Sequence, residues 1–156
     1  AEETGATATL EVPIDDTMLI LDEVAGGHVV GAAGNVGTRW PIHATSTGKA
    51  LIAFDERGVD RLGERLTSLT TRTITERNQL LEQLCAIRRR GFAETVDELE
   101  DGFSGVATVV RDGTGRVLGA LSICGPTQRL SAGRRASLGA TLCSAAEHLQ
   151  PSRWDQ

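Results

Sequence analysis

Short β-prone runs occupy the first part of the chain, over residues 7–12, 18–24 and 28–33. They contain mainly valine, leucine, isoleucine, threonine and alanine. The Pro-Ile-Asp-Asp sequence at residues 13–16 and the Gly-Gly pair at residues 26–27 separate these runs, and such residues favour tight turns. The pattern therefore predicts antiparallel strands at the start of the domain.

Apolar residues at helical spacing follow in the middle of the chain. Residues 45–54 predict a short helix that Thr45 or Ser46 caps, and residues 55–66 predict a second helical segment capped by Asp55. A stronger helix begins after residue 75 and ends before Gly91, with arginines at positions 88–90 that suit its negative end. The apolar side chains on these segments are Leu51 and Phe54, then Val59, Leu62 and Leu66, then Leu80, Leu81, Leu84 and Ile87.

The last third of the chain predicts a hairpin followed by a long helix. Residues 106–110 and 116–124 are β-rich, and the Asp-Gly-Thr-Gly sequence at residues 112–115 joins them. Ser131 caps a helix in which Leu138, Leu142 and Leu149 form part of an apolar stripe. The whole succession predicts an α+β fold with a central, mostly antiparallel sheet flanked by helices.

Composition and charge narrow the class of protein. A chain of 156 residues with 40% hydrophobic and 24% charged residues fits one globular domain, and no apolar run approaches the ~20 residues that span a bilayer. The net charge of −5 argues against a surface that follows nucleic-acid phosphates. Cys85, Cys124 and Cys143 form no Cys-x-x-Cys pair, which favours reduced thiols and a cytoplasmic protein. Residues 1–5 resemble the end of a helix closed by Gly5, so we expect a further domain upstream.

Few residues suggest catalysis, a metal or a cofactor, and we predict none of the three. The Gly48-Lys49 pair lacks the other residues of a phosphate-binding loop, and the three histidines have no metal-ligand spacing. A nucleophile built from Ser46 or Ser122 with His43 stays open as an alternative, although no Gly-x-Ser-x-Gly elbow is present. The helix that starts near Thr45 has unpaired first amides that could hold a carboxylate, and ordinary capping without a ligand is the alternative.

Several motifs occur in an order that resembles one protein family. The sequence Gly-Thr-Arg-Trp-Pro-Ile-His-Ala-Thr-Ser-Thr-Gly-Lys-Ala-Leu covers residues 37–51. Thr-Arg-Thr-Ile-Thr follows at residues 71–75, an Arg-x-x-Gly-Phe-Ala pattern at residues 88–93, and Ala-Leu-Ser-Ile-Cys-Gly-Pro at residues 120–126. This succession resembles the C-terminal effector-binding domain of the IclR family of bacterial transcription regulators.

The resemblance implies a two-part regulator. An N-terminal winged helix-turn-helix would read an operator, and residues 1–156 would form a GAF-like or profilin-like domain that binds a metabolite and assembles as a homodimer or homotetramer. DNA would be bound only through the N-terminal domain, which this sequence lacks. A repressor or an activator would both fit this design.

The resemblance also implies the positions that bind the effector. Ser46 and Thr47 would contact it from the helix start, and Ser122 and Cys124 would contact it from the sheet. The remaining expected contacts are Thr95 and the wall residues Val29, Ala32, Trp40, Phe103 and Gly105. A neutral Thr95 beside the bulky Trp40 and Phe103 predicts an aromatic or larger organic acid. Two alternatives stay open, a GAF-like module that binds a nucleotide or only dimerises, and a small-molecule hydrolase that uses His43.

Overall fold

The computed structural model describes residues 1–2, 4–26 and 35–149. Six strands and three α-helices make up this part of the chain, with two short 3-10 turns at Gly58–Arg61 and Thr127–Arg129. The elements in order are β1 (Thr7–Ile14), β2 (Thr17–Val24), β3 (Arg39–Pro41), α1 (Ser46–Phe54), α2 (Arg77–Arg90), β4 (Ala93–Val96), β5 (Phe103–Arg111), β6 (Val117–Pro126) and α3 (Ala132–His148).

The strands form one sheet in the order β3-β2-β1-β6-β5-β4, and every neighbouring pair is antiparallel. The predicted α+β class with a central antiparallel sheet is therefore confirmed. The β5–β6 hairpin turns where the sequence predicts it, because the Asp112 carboxylate accepts hydrogen bonds from the amides of Thr114 and Arg116. Gly115 takes a positive φ of 88° in this turn, a conformation that glycine adopts without strain.

Helices cover both faces of the sheet, and the alternation of side chains along β5 shows this directly. Ala107 and Val109 pack in a core with α1 and α2, whereas Val106 packs on the other face against Leu138 and Leu142 of α3. The two cores share β5, whose residues from Ser104 to Val110 are all buried. Residues of β6 with the same parity as Ala120, namely Ser122 and Cys124, therefore lie on the α1 face.

The helix ends follow the predicted signals. The side chain of Thr45 caps α1 by accepting from the amide of Gly48 at 3.1 Å, and Ser131 caps α3. Gly91 ends α2 in the left-handed conformation with a φ of 87°. Of the three arginines before it, Arg88 donates to the Ala53 carbonyl and Arg90 pairs with Glu94. These two arginines therefore join α2 to neighbouring elements of the domain.

Two parts of the structure differ from the sequence prediction, and one predicted strand cannot be compared with it. The helix predicted over residues 55–66 is wrong: only the turn Gly58–Arg61 forms, although Leu62 and Leu66 are buried in the core. Their apolar spacing reflects packing of an irregular segment. Strands β3 and β4 went unpredicted because each has only three or four residues and lies at a sheet edge. The strand predicted over residues 28–33 lies outside the described residues.

Candidate functional site

A cavity of about 480 Å³ lies between the start of α1, the sheet face beneath it and the loop before β5. Its volume falls within the range of small-molecule sites. Strands β1, β2 and β6 form its floor, and Trp40 and Phe103 stand among its walls. The lining residues are Thr7, Thr9, Glu11, Ile20, Glu23, Asn35, Trp40, Thr45, Ser46, Thr47, Thr95, Leu99, Glu100, Asp101, Gly102, Phe103, Ser122, Cys124, Gly125 and Pro126.

Most of the residues that the family resemblance implies meet at this cavity. Seven of them line it, and they are Trp40, Ser46, Thr47, Thr95, Phe103, Ser122 and Cys124. Gly105 lies next to two of these lining residues. A Cβ atom built there would be 2.7 Å from Ser46 Oγ and 3.6 Å from the Cβ of Cys124. The glycine thus lets the helix start approach the sheet closely. Val29 and Ala32 lie outside the described residues.

The first turn of α1 presents backbone donors at the cavity. Thr45 already caps the amide of Gly48, and no hydrogen-bond partner is found within the described ranges for the amides of Ser46 and Thr47. These first amides carry the partial positive charge of a helix N-terminus. The arrangement can accept an electron-rich group such as a carboxylate.

The functional residue that sequence reasoning missed is Glu11, on the floor of the cavity. The residue is only 5% exposed. Its two carboxylate oxygens accept hydrogen bonds from the hydroxyls of Thr9 and Thr47, each at 2.7 Å, and Thr9 also lies 2.7 Å from Ser122 Oγ. Burial raises the pKa of Glu11, and the two hydroxyl donors oppose that rise. Polar residues at alternate positions of a strand usually face solvent, so the sequence carried no signal of this burial.

Acidic side chains dominate the charge of the cavity. Glu11, Glu23, Glu100 and Asp101 line it, and no lysine or arginine is among its described lining residues.

Burial raises the pKa of the Cys124 thiol to about 12, with the charges of Glu11 and Glu23 adding to the effect. A thiol with such a pKa stays protonated near neutral pH, so Cys124 is poorly suited to redox sensing or nucleophilic attack.

The positions of the described side chains do not favour catalysis by His43 or the binding of a metal ion. The His43 Nε2 atom lies 2.9 Å from the Thr67 carbonyl oxygen, and no hydrogen bond joins the ring to Ser46 or Ser122 among the residues described. In the same part of the chain, no cluster of three or more His, Cys, Asp or Glu side chains could hold a metal ion. None of the described helices is both long and apolar enough to cross a membrane.

Two further cavities lie elsewhere in the described structure. One, of about 450 Å³, is lined partly by Arg72, Gln83 and Arg90 near α2, and the other, of about 390 Å³, is lined partly by Leu130 and Arg134 near α3. Neither contains any of the residues that the family resemblance implies as effector contacts. These cavities are the natural competitors in any test of where a ligand binds.

Comparison with known proteins places these features in one family. The family model described as "Bacterial transcriptional regulator IclR C-terminal" matches residues 1–151. The regulator BhcR of Paracoccus denitrificans is 34% identical over 152 residues, which cover 95% of this chain and 54% of BhcR. The transcriptional repressor IclR of Escherichia coli is 30% identical over 153 residues, which cover 95% of this chain and 56% of that protein. The chain thus spans about half the length of the curated relatives it matches.

A solved structure with a bound ligand has the same fold. It is a double mutant of the inducer-binding domain of the PobR transcription factor from Acinetobacter, in complex with 3-hydroxybenzoic acid. The TM-score is 0.85 at 26% sequence identity, and the match covers 95% of this chain and 89% of that one. A domain of this fold therefore serves as an inducer-binding unit in at least one regulator.

Proposed function

The chain belongs to the IclR family of bacterial transcriptional regulators and corresponds to their C-terminal effector-binding domain. On that premise we propose that the cavity between α1 and the sheet binds an organic acid and that binding controls the regulator. The observation that carries this proposal is the meeting of Ser46, Thr47, Ser122 and Cys124 at one cavity of about 480 Å³. The 3-hydroxybenzoic acid complex of the related PobR domain supports an acid as the ligand class.

The effector would act by joining two parts of the domain. A ligand that contacts Ser46 and Thr47 on α1 together with Ser122 on β6 stabilises one placement of the helix against the sheet. Such a ligand can bias the equilibrium between subunit arrangements only if it binds one of them better than the other. In a homodimer or homotetramer, the shift would move an N-terminal winged helix-turn-helix relative to its operator half-sites. The regulator would act in the cytoplasm, as a repressor or an activator.

The domain works as a switch and not as a catalyst in this proposal. A hydrolase would need His43 to activate a hydroxyl, and its Nε2 atom instead lies against the Thr67 carbonyl. Four acidic side chains and no basic residue among those described line the cavity, so an anionic ligand, whether a phosphate or a carboxylate, would depend on the unpaired first amides of α1. The position of His43 favours reversible binding over hydrolysis, and the cyclic AMP probe separates a nucleotide-binding module from an organic-acid sensor.

A thermal-shift screen of the domain tests this function. The probes are 3-hydroxybenzoate, benzoate, pyruvate and cyclic AMP. At 100 times its Kd a ligand stabilises a protein by about 2.7 kcal/mol, which in a domain of this size raises Tm by roughly 5–10 °C. We expect an aromatic acid to give such a shift and Trp40→Ala to remove most of it, because this variant deletes a wall of the cavity.

Leu118→Ala is the matched control, since it also removes a large side chain but from an exposed position outside the cavity. Its ligand-induced shift should equal that of the wild type. A shift produced only by cyclic AMP, or an aromatic-acid shift that survives in Trp40→Ala, would count against the proposed site.

A further inference from the structure

Three hydroxyl groups in the cavity form a hydrogen-bond network around one buried carboxylate. Thr9 and Thr47 come from β1 and α1 and each donates to a different oxygen of Glu11. Ser122, on β6, lies 2.7 Å from Thr9 Oγ1. All four of these residues line the cavity, so their polar atoms form part of the surface that a ligand meets.

When Glu11 is ionised, a count of the hydroxyl hydrogens fixes the direction of these bonds. A hydroxyl carries one hydrogen and two acceptor lone pairs, whereas an ionised carboxylate can only accept. The single hydrogens of Thr9 and Thr47 are used on Glu11, so the bond between Thr9 and Ser122 must be donated by Ser122. With all three hydrogens directed within the network, the hydroxyls have only lone pairs left for a ligand.

We infer that this hydroxyl network selects a ligand that donates a hydrogen bond, such as an effector that carries a hydroxyl group besides its acid function. The inference rests on the proposed function, since it names the ligand class of the same cavity. A ligand without a donor at this position, such as an ether or a bare aromatic ring, would leave buried hydroxyl lone pairs unpaired or in repulsive contact. Sites built to pair a ligand hydroxyl discriminate strongly against analogues that lack it.

This polarity depends on the ionised state of Glu11. A protonated Glu11 would donate to Thr9 or Thr47, and the freed hydroxyl hydrogen could then point to the ligand. The other titratable groups that line the cavity are Glu23 on β2, Cys124 on β6, and Glu100 and Asp101 in the loop before β5. Near neutral pH these groups supply no positive charge, so the hydroxyl network is the main partner of the Glu11 carboxylate within the described cavity.

Paired probes that differ only in the donor test the inference. Binding of 3-hydroxybenzoate, 3-methoxybenzoate and benzoate is measured by calorimetry at pH 7.5 on the wild-type domain, on Glu11→Gln and on Glu82→Gln. We expect the wild type to prefer 3-hydroxybenzoate over both analogues by at least about tenfold. Glu11→Gln should lose most of that preference because the amide nitrogen of glutamine can donate to a hydroxyl and release its hydrogen.

Glu82→Gln is the control for the loss of charge, since it also removes one negative charge but from an exposed position on α2, outside the cavity. Its preference should stay that of the wild type. Since the folded-state pKa of Glu11 is raised, lowering the pH toward that pKa should also reduce the wild-type preference, and Glu11→Gln should show no such change.

The outcomes separate the two proposals. Equal binding of the hydroxy and methoxy acids, or a preference unchanged in Glu11→Gln, overturns this inference and leaves the effector site standing. If none of the three acids binds at millimolar concentration, the proposed binding of an aromatic acid is contradicted, and this inference with it.

Discussion

Replacing Lys49 with methionine is expected to lower the free energy of unfolding by about 3–5 kcal/mol, the usual cost of leaving one member of a buried ion pair alone. Lys49 is 0% exposed, and its ammonium group donates to Glu98 and to Gln83. Burial raises the pKa of Glu98, and Lys49 is the principal group that opposes this rise. Without Lys49, the Glu98 carboxyl remains buried and must either take up a proton or draw in water.

Urea denaturation measures this loss, and two further variants isolate its cause. The double substitution Lys49→Met with Glu98→Leu should recover most of the stability, because an apolar pair of similar size often replaces a buried ion pair without cost. Arg72→Met is the exposed control: this side chain is 66% exposed, its nitrogen lies 3.9 Å from Asp97, and its loss should cost less than about 1 kcal/mol. A Lys49→Met variant as stable as Arg72→Met would contradict the buried pair.

Gly48→Ala is expected to destabilise the domain by about 3 kcal/mol or more and to abolish the ligand-induced thermal shift. A Cβ atom on Gly48 would lie 1.9 Å from the carbonyl oxygen of Ile42, so α1 would have to move away from the segment before it. Overpacking a well-packed site usually costs about 1–3 kcal/mol, and a clash with backbone leaves less room for adjustment than one with a side chain. Movement of α1 would also displace Ser46 and Thr47 from the cavity.

Gly133→Ala provides the matched control for this substitution. Gly133 also lies near the start of a helix, α3, but a Cβ atom there would meet nothing within 4 Å. Alanine favours a helix over glycine by up to about 1 kcal/mol, so this variant should be as stable as the wild type or slightly more stable. If circular dichroism shows Gly48→Ala melting with Gly133→Ala, then α1 does not approach residue 42 as closely as the structure indicates.

Local signals in the sequence were sufficient for much of the fold and part of the site. The Thr45 cap, the turn at residues 112–115 and the Ser131 cap each depend on neighbouring residues, and all three are confirmed. Ser122 and Cys124 share a sheet face because they alternate along one strand, and the structure places both at the cavity. Such features need no knowledge of distant contacts.

The features that went unpredicted depend on residues far apart in the chain. Glu11 and Thr47 are 36 positions apart, and Lys49 and Glu98 are 49 positions apart. A single glutamate in a strand or a single lysine in a helix is usually solvated, so sequence alone gives no reason to bury either. These pairs form because the strand order β1-β6-β5 places β1 and the residues after β4 within reach of α1, which packs on the same sheet.

Amide chemical-shift mapping with 3-hydroxybenzoate tests most directly whether the cavity beneath α1 is the effector site. The largest changes should fall on the amides of Ser46, Thr47, Gly105 and Cys124. Three of these residues line the cavity, and Gly105 lies next to Ser46 and Cys124. Changes centred on Gln83 and Arg90, at the cavity beside α2, would place the ligand elsewhere and contradict the account.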